Sequence, residues 1–191
     1  MLGRSYQAMR AAFEHILARL PFRVIELHPD NGSEFLNAHL VRFFGEAVPG
    51  VRLSRSRPYQ KNDNRVVEQK NYSLVRAYLG YGRLDTPAQA EALDQLYEQL
   101  WVYDNLFQPV LHLTEKEVVN GKLKRKWDAA TSPYQRLLAT TVLTAAEQAR
   151  LAALYELTNP RQLRRQINDR LGRLWAEPTM PAGWLPASAA D

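Results

Sequence analysis

The architecture of this chain depends on the stretch Phe22-Arg23-Val24-Ile25-Glu26-Leu27-His28-Pro29-Asp30-Asn31-Gly32. Its first six residues are rich in apolar and β-branched types and predict a short buried β-strand, which Asn31-Gly32 ends. Ser33 can cap a helix after this turn. The inward face of that helix carries Phe35, Leu36, Leu40, Phe43 and Phe44. Residues 51–54 predict a second strand, so the order strand, helix, strand indicates a crossover joining two parallel strands.

Helices surround this unit on both sides in the sequence. Apolar residues spaced by three and four predict an amphipathic helix over 5–20, which Pro21 ends. A polar loop over 55–64 leads into a long helix that reaches Leu79. Thr86 can cap a helix over 87–107. Its apolar stripe consists of Leu93, Leu96, Tyr97, Leu100 and Trp101. We expect the aromatic residues Tyr97, Trp101 and Phe107 in the core.

The C-terminal part predicts a different arrangement. Asn120-Gly121 lies between basic flanks and has the signature of a tight β-hairpin. Two helices follow, over 144–157 and 160–175, and residues 177–191 predict a flexible tail. We therefore expect four regions, with boundaries at 85/86, 110/111 and 176/177.

Composition and charge restrict the functional classes. The absence of cysteine excludes disulfides, thiolate zinc sites and thiol catalysis and fits a reducing cytoplasm. No apolar run approaches the roughly 18 residues of a membrane span, so we expect a soluble protein without a membrane partner. The net charge of +5 is uneven, with 13 Lys and Arg against 8 Asp and Glu in residues 1–85. Such a distribution suits a polyanion partner, and it also suits an ordinary solvated basic surface.

Two acidic residues have the positions that phosphoryl-transfer chemistry needs. Two-metal catalysis on phosphodiesters requires carboxylates on separate rigid elements. Asp30 follows a predicted strand, although it can equally be a turn residue that caps the next helix. Glu68 lies near a helix start, with Asn71 and Tyr72 on the same helical face and Lys61 in the preceding loop. These neighbours suit a DNA backbone, whereas an isolated helical glutamate is usually only solvated.

Other candidates have two interpretations each. His28 can join a metal site or can be a simple turn residue. The basic hairpin can contact phosphates or can carry strand-edge lysines that prevent aggregation; its residues are Lys122, Lys124, Arg125 and Lys126, next to Trp127. The last helix can line a DNA backbone or merely be kept soluble by its arginines, which are Arg161, Arg164, Arg165, Arg170 and Arg173.

Four motifs together carry a resemblance to a known family. They are Asp30-Asn31-Gly32-Ser33-Glu34-Phe35, Ser56-Arg57-Pro58-Tyr59, Lys61-Asn62-Asp63-Asn64 and Val67-Glu68-Gln69-Lys70-Asn71. This set resembles the integrase catalytic core of bacterial insertion-sequence transposases, relatives of retroviral integrases with an RNase H-like fold and an Asp-Asp-Glu triad. The similarity also includes residues 132–138 and the arginine-rich last helix.

The resemblance implies a fold, a reaction and its residues. Asp30 would be the second acid of the triad and Glu68 the third, both holding Mg²⁺ or Mn²⁺, with two ions in an intact enzyme. Lys61, Lys70 and Asn71 would position DNA. The first aspartate of the triad has no counterpart, since residues 1–29 contain only Glu14 and Glu26 as acids.

We therefore expect a partial RNase H-like α/β core that lacks its first three strands, followed by a mainly helical region with a small hairpin. The implied partners are transposon-end and target DNA, and the family allows a homo-oligomer. The implied function is that of a transposase fragment, inactive alone and weak in metal binding. The alternative is a non-catalytic DNA-binding or regulatory module.

Overall fold

The computed structural model describes residues 6–28, 38–57 and 65–178. Over these ranges the chain is a mixture of helices with two small two-stranded sheets, so the general α/β class is confirmed. It forms two compact units, one of Met1–Ala92 with Arg173–Asp191 and one of Leu93–Gly172. The predicted boundaries at 85/86, 110/111 and 176/177 stay predictions. No helix in the described ranges is both long enough and apolar enough to cross a membrane.

The elements up to residue 79 alternate between helix and strand. In chain order they are α1 (Tyr6–Arg19), β1 (Glu26–Leu27), α2 (Ala38–Ala47), β2 (Arg52–Leu53), α3 (Arg65–Lys70), a π-helical segment (Asn71–Val75) and α4 (Arg76–Leu79). The remaining elements are α5 (Pro87–Val102), a second π-helical segment (Tyr103–Phe107), β3 (Leu113–Val119), β4 (Lys122–Trp127), α6 (Pro133–Leu138), α7 (Ala145–Leu157) and α8 (Pro160–Ala176).

The predicted parallel strand pair is present, but its first strand is shorter than expected. β1 pairs with β2 in parallel, with Glu26 opposite Arg52 and Leu27 opposite Leu53. The prediction of a buried strand over 22–27 was wrong, because Ile25 is 75% exposed and only two residues have strand geometry. The physical reason is that β1 has one strand neighbour within the described residues, so the residues before it have no second ladder to join.

The inward face predicted for the second helix is confirmed where it is described. Leu40, Phe43 and Phe44 are buried and pack against apolar residues of α1, of β1 and next to β2. The Phe13 and Phe44 rings meet edge to face with centroids 4.7 Å apart. Ser33, Phe35 and Leu36 lie outside the described residues, so the predicted cap stays a prediction.

An aromatic stack organises the core of the second unit. Tyr155 of α7 stacks on Phe107 and Tyr134, with ring centroids 4.9 Å and 5.2 Å apart. The buried members of this core are Leu106, Tyr134, Leu143 and Leu151. Of the aromatic residues expected in the core, Phe107 packs against this cluster, whereas Tyr97 is 37% exposed. Leu96 and Leu100 of α5 are buried.

Local signals fixed the hairpin and the last two helices. Asn120 and Gly121 both have positive φ, at 52° and 73°, as a two-residue I′ turn requires. The Thr144 hydroxyl accepts the Glu147 backbone N–H and the Glu147 carboxylate accepts the Thr144 N–H, which completes a capping box. α7 and α8 consequently begin and end within a residue or two of the predicted positions.

Both π-helical segments contain a polar side chain that bonds the carbonyl four residues earlier. Ser73 Oγ donates to the Gln69 carbonyl at 2.8 Å, and Asn105 Nδ2 donates to the Trp101 carbonyl at 2.8 Å. A side chain on this carbonyl competes with the backbone N–H that would hold it in an α-helix. Each segment then ends in an i→i+5 bond, such as Arg76 N–H to the Asn71 carbonyl.

Candidate functional site

A chain of polar side chains joins the carboxyl ends of β1 and β2. Ser54 Oγ donates to Glu26 Oε1 at 2.5 Å and lies 2.7 Å from His28 Nδ1. His28 Nε2 lies 3.2 Å from the hydroxyl of Ser56, a residue that is only 2% exposed. Arg52 forms an ion pair with the same Glu26 carboxylate. The two predicted catalytic motifs therefore leave from adjacent and cross-linked strand ends.

The hydrogen bonds of Ser54 determine the tautomer of His28. The one hydroxyl hydrogen of Ser54 goes to Glu26, so the bond between Ser54 and His28 needs Nδ1–H as its donor. In a neutral ring Nε2 is then the acceptor and the Ser56 hydroxyl donates to it. His28 thus has both ring nitrogens occupied by the serines that follow β2, which supports the interpretation as a structural residue at the strand end.

Glu26 has an electrostatic environment that keeps it ionised. The hydrogen bond from Ser54 and then the hydrogen bond from Arg52 lower the pKa of Glu26 below its usual value. Its oxygens are engaged within the strand pair. Glu14 lies in the middle of α1 and pairs with Arg10 at 2.8 Å. Each of these two carboxylates is thus paired with an arginine of its own element or of the neighbouring strand.

Of the two predicted catalytic acids, the structure describes Glu68 but not Asp30. Asp30 and Lys61 lie outside the described residues, so their distances to Glu68 stay predictions. Glu68 and Lys70 are exposed on α3, and Asn71 is exposed at the start of the π-helical segment. Because the helix widens at Asn71, the residues after it are rotated away from the positions of a regular α-helix. The sequence contained no sign of this change.

Of the two predicted metal ligands, Glu68 is the one that lies within the described residues. Its carboxylate is exposed and has no hydrogen bond or ion pair to another described residue, so it has the hard oxygen donors that Mg²⁺ takes. Among residues 6–28, 38–57 and 65–178, no group of three or more His, Cys, Asp or Glu side chains is arranged to hold a metal ion. A complete centre at Glu68 therefore needs ligands from elsewhere, and Asp30 is the predicted one.

The basic hairpin residues divide between two faces of the ribbon. Lys124 lies opposite Glu117, and Lys126 lies opposite Glu115, with 3.5 Å between Nζ and Oε2 in the second pair. Since directly opposed residues share a face, Lys122, Lys124 and Lys126 share theirs with two carboxylates. Arg125 lies on the other face, opposite Lys116. This second face brings two cations together without an acid opposite either.

The C-terminal arginines also have different surroundings. Arg170 donates to Gln95 Oε1 at 2.6 Å, and Arg164 donates to the Tyr103 hydroxyl at 2.9 Å. Arg161 and Arg165 are exposed and border a cavity with Arg164 and Tyr103. Lys116 was not identified from the sequence as part of the cationic hairpin face. Tyr103 was also not identified as a neighbour of the C-terminal arginines. The register set by Asn120-Gly121 already placed Lys116 opposite Arg125, whereas no local signal connects Tyr103 with a residue 61 positions later.

Comparison with known proteins finds a similarity over part of the chain. No protein family model matches the chain. A protein of Sinorhizobium fredii (strain NBRC 101917 / NGR234), named uncharacterized protein y4rM, is 36% identical over 126 residues. The match includes 66% of this chain and 35% of the relative, so the chain spans about a third of the length of the curated relative that it matches. Its name states no activity.

Proposed function

We propose that this chain is part of a DNA-acting protein related to integrase-core transposases, with a partial RNase H-like core. The observation that carries the proposal is the parallel pairing of β1 with β2, cross-linked by His28 and Ser54 at 2.7 Å. In parallel sheets, ligand chemistry gathers at the carboxyl ends of the strands. Here Asp30 follows one such end, and the loop that leads to Glu68 follows the other.

In this proposal Asp30 and Glu68 hold divalent metal, and Lys61, Lys70 and Asn71 position DNA. Two Mg²⁺ or Mn²⁺ ions, when bound in an intact enzyme, activate the attacking oxygen and stabilise the leaving one. The protein's own contribution is placement. The His28, Ser54 and Glu26 bonds fix the strand end that precedes Asp30, and α3 presents the Glu68 carboxylate on its exposed side. The substrate would be transposon-end and target DNA.

With two of the three acids matched, we expect the 191-residue chain on its own to carry out no strand transfer. A site with one ligand fewer holds its ions more weakly, so we also expect weak metal binding. Mg²⁺-dependent joining of DNA by the purified chain, abolished by Asp30→Asn, would contradict this expectation.

Metal binding tests the assignment of Asp30 and Glu68. Mn²⁺ titrated into ¹⁵N-labelled chain should broaden the amide signals of His28 and Gln69 first, and excess Mg²⁺ should reverse the broadening. The double variant Asp30→Asn with Glu68→Gln should lose this response. A matched control, Asp94→Asn with Glu91→Gln, removes the same charge from α5 and should keep it. Equal broadening in the two double variants would refute the assignment.

A non-catalytic DNA-binding module is the second candidate, and the hairpin favours it. Lys116 and Arg125 form a cationic face that needs no metal to contact phosphates. Salt-dependent duplex affinity that survives Asp30→Ala with Glu68→Ala would support this candidate, because phosphate contacts by Lys and Arg release counterions and depend on salt. Affinity that does not change with salt would count against it.

A further inference from the structure

An open cavity of about 340 Å³ lies against the start of α8. Its lining residues are Tyr103, Pro160, Arg161, Arg164 and Arg165. Three of these five residues are cationic and none is acidic. All five residues belong to the second compact unit. The cavity is therefore a local concentration of positive charge on a concave surface.

Two of the three guanidinium groups have no hydrogen-bond or ion-pair partner among the described residues. Arg161 and Arg165 are exposed, and neither side chain makes a hydrogen bond or ion pair to another residue in the described ranges. Arg164 is held by the ring of Tyr103, since its Nη1 donates to the phenol oxygen at 2.9 Å and its Cζ lies 5.5 Å from the ring centroid. The cavity thus combines one fixed guanidinium with two that are available.

The positions of these arginines oppose the electrostatics of the helix that carries them. Cations near a helix N-terminus meet the positive end of the dipole, and like charges at spacings of three and four repel. Arg161 lies in the first turn of α8, and Arg164 and Arg165 follow at those spacings. A bound anion would offset both unfavourable terms. Such local conflicts are expected where a protein binds a ligand.

The backbone of the helix start does not supply the binding groups. Asn159 Oδ1 accepts the N–H groups of Arg161 and Gln162 at 3.0 Å and 3.2 Å, and the Asn159 carbonyl accepts that of Leu163. Pro160 has no N–H. An anion here is consequently bound by guanidinium side chains, whose planar forks match phosphate oxygens.

We propose that this cavity is a phosphate-binding site, and that Arg161 and Arg165 bind the phosphate while Tyr103 positions Arg164 beside it. The identification of the phosphate as one in a DNA backbone rests on the proposed function. Free inorganic phosphate presents the same oxygens, and the experiment distinguishes the two sources.

Duplex binding across a salt series tests the DNA source. Fluorescence anisotropy of a labelled duplex should show that Arg161→Gln with Arg165→Gln weakens binding about tenfold for each arginine–phosphate bond removed. The slope of log affinity against log salt should fall by about 0.9 for each such bond. The control, Arg42→Gln with Arg150→Gln, removes the same charge from exposed positions on α2 and α7. Its affinity should fall by much less. Arg161→Lys with Arg165→Lys, which keeps the charge and removes the planar fork, should bind with intermediate affinity.

The remaining outcomes separate the two proposals. If wild type binds duplex and the cavity variant matches the control, the cavity inference is wrong and DNA binding stands. If wild type binds no duplex, the DNA proposal fails, and inorganic phosphate then tests the site. It should shift the NMR signals of the Arg164 side chain and the Tyr103 ring, which line the same cavity, and loss of these shifts in the Gln variant supports the site. Absence of those shifts overturns it. Circular dichroism checks that every variant is folded.

Discussion

His28 Nδ1 and Ser54 Oγ lie 2.7 Å apart and connect the ends of two parallel strands that contain only two residues each. So short a ladder has few backbone bonds, such as Arg52 N–H to the Ile25 carbonyl and Ser54 N–H to that of Leu27. The side-chain bonds therefore extend the pairing past the last backbone bond. They hold the point from which the segment with Asp30 leaves.

Replacement of Glu26 by Gln should destabilise the chain in a pH-dependent way. The pKa of Glu26 is lowered by Ser54 and Arg52, so the ionised carboxylate stabilises the fold above its usual pKa, and this contribution is lost as pH falls through the lowered value. Urea unfolding should show a lower midpoint for the variant at about pH 7, and the difference from wild type should shrink as pH falls below the usual carboxyl range.

A matched charge removal controls for this effect. Glu156→Gln changes an exposed position on α7 and should leave the midpoint nearly unchanged at both pH values. A Glu26→Gln difference that persists undiminished in acid would show that the side chain acts through packing instead of charge.

The two faces of the hairpin should contribute unequally to DNA affinity. Lys116→Gln with Arg125→Gln removes two cations from the face without a carboxylate opposite, while Lys124→Gln with Lys126→Gln removes two that lie opposite Glu117 and Glu115. Nearby carboxylates reduce the positive potential that attracts phosphates. The first variant should bind DNA more weakly and show a larger reduction of the salt slope, about 0.9 per phosphate bond. The two variants have equal net charge, so equal reductions in affinity would mean that total charge decides binding.

The sequence predicted those elements whose signals are local. The Asn120-Gly121 turn, the Thr86 cap and the α1 periodicity each act within a few residues, and the structure agrees with all three. The length of β1 was wrong because it depends on a neighbouring strand. The π-helical segment after Glu68 contains a hydrogen bond from the Ser73 hydroxyl to the Gln69 carbonyl, which competes with α-helical bonding. Hydrophobic periodicity does not report such a bond.

Truncation of a side chain in the core of the second unit should lower the free energy of unfolding more when the side chain is more deeply buried. Leu106 is 2% exposed within the cluster of Tyr134, Leu143 and Leu151, so Leu106→Ala should lower the free energy of unfolding by about 2–5 kcal/mol through reduced burial and a cavity. Leu157→Ala, at a position 87% exposed, should change it by less than about 0.5 kcal/mol. Urea unfolding followed by circular dichroism measures both. Similar effects in the two variants would place the core elsewhere.

Asp128 and Arg136 should stabilise the connection between the hairpin and α6 only while the carboxylate is ionised. Arg136 Nη1 donates to Asp128 Oδ2 at 2.6 Å, and the His112 N–H donates to Oδ1 at 2.7 Å; these two bonds, that of Arg136 first, lower the pKa of Asp128. The contribution is therefore present above the usual aspartate pKa and disappears as pH falls through the lowered one. Asp128→Asn should reduce the unfolding midpoint near neutral pH and converge with wild type in acid.

Arg136→Lys separates charge from geometry at the same place. Arg136 Nη2 also donates to the Val110 carbonyl at 2.8 Å, and a lysine ammonium cannot reproduce the planar fork that makes both contacts. The variant keeps the cation, so it should be less stable at neutral pH while the dependence on Asp128 ionisation is partly retained. Hydrogen exchange of the Thr131 amide, which bonds the Val110 carbonyl at 3.3 Å, should accelerate in Arg136→Lys. Unchanged exchange at Thr131 would mean that the backbone bridge holds this connection without the arginine.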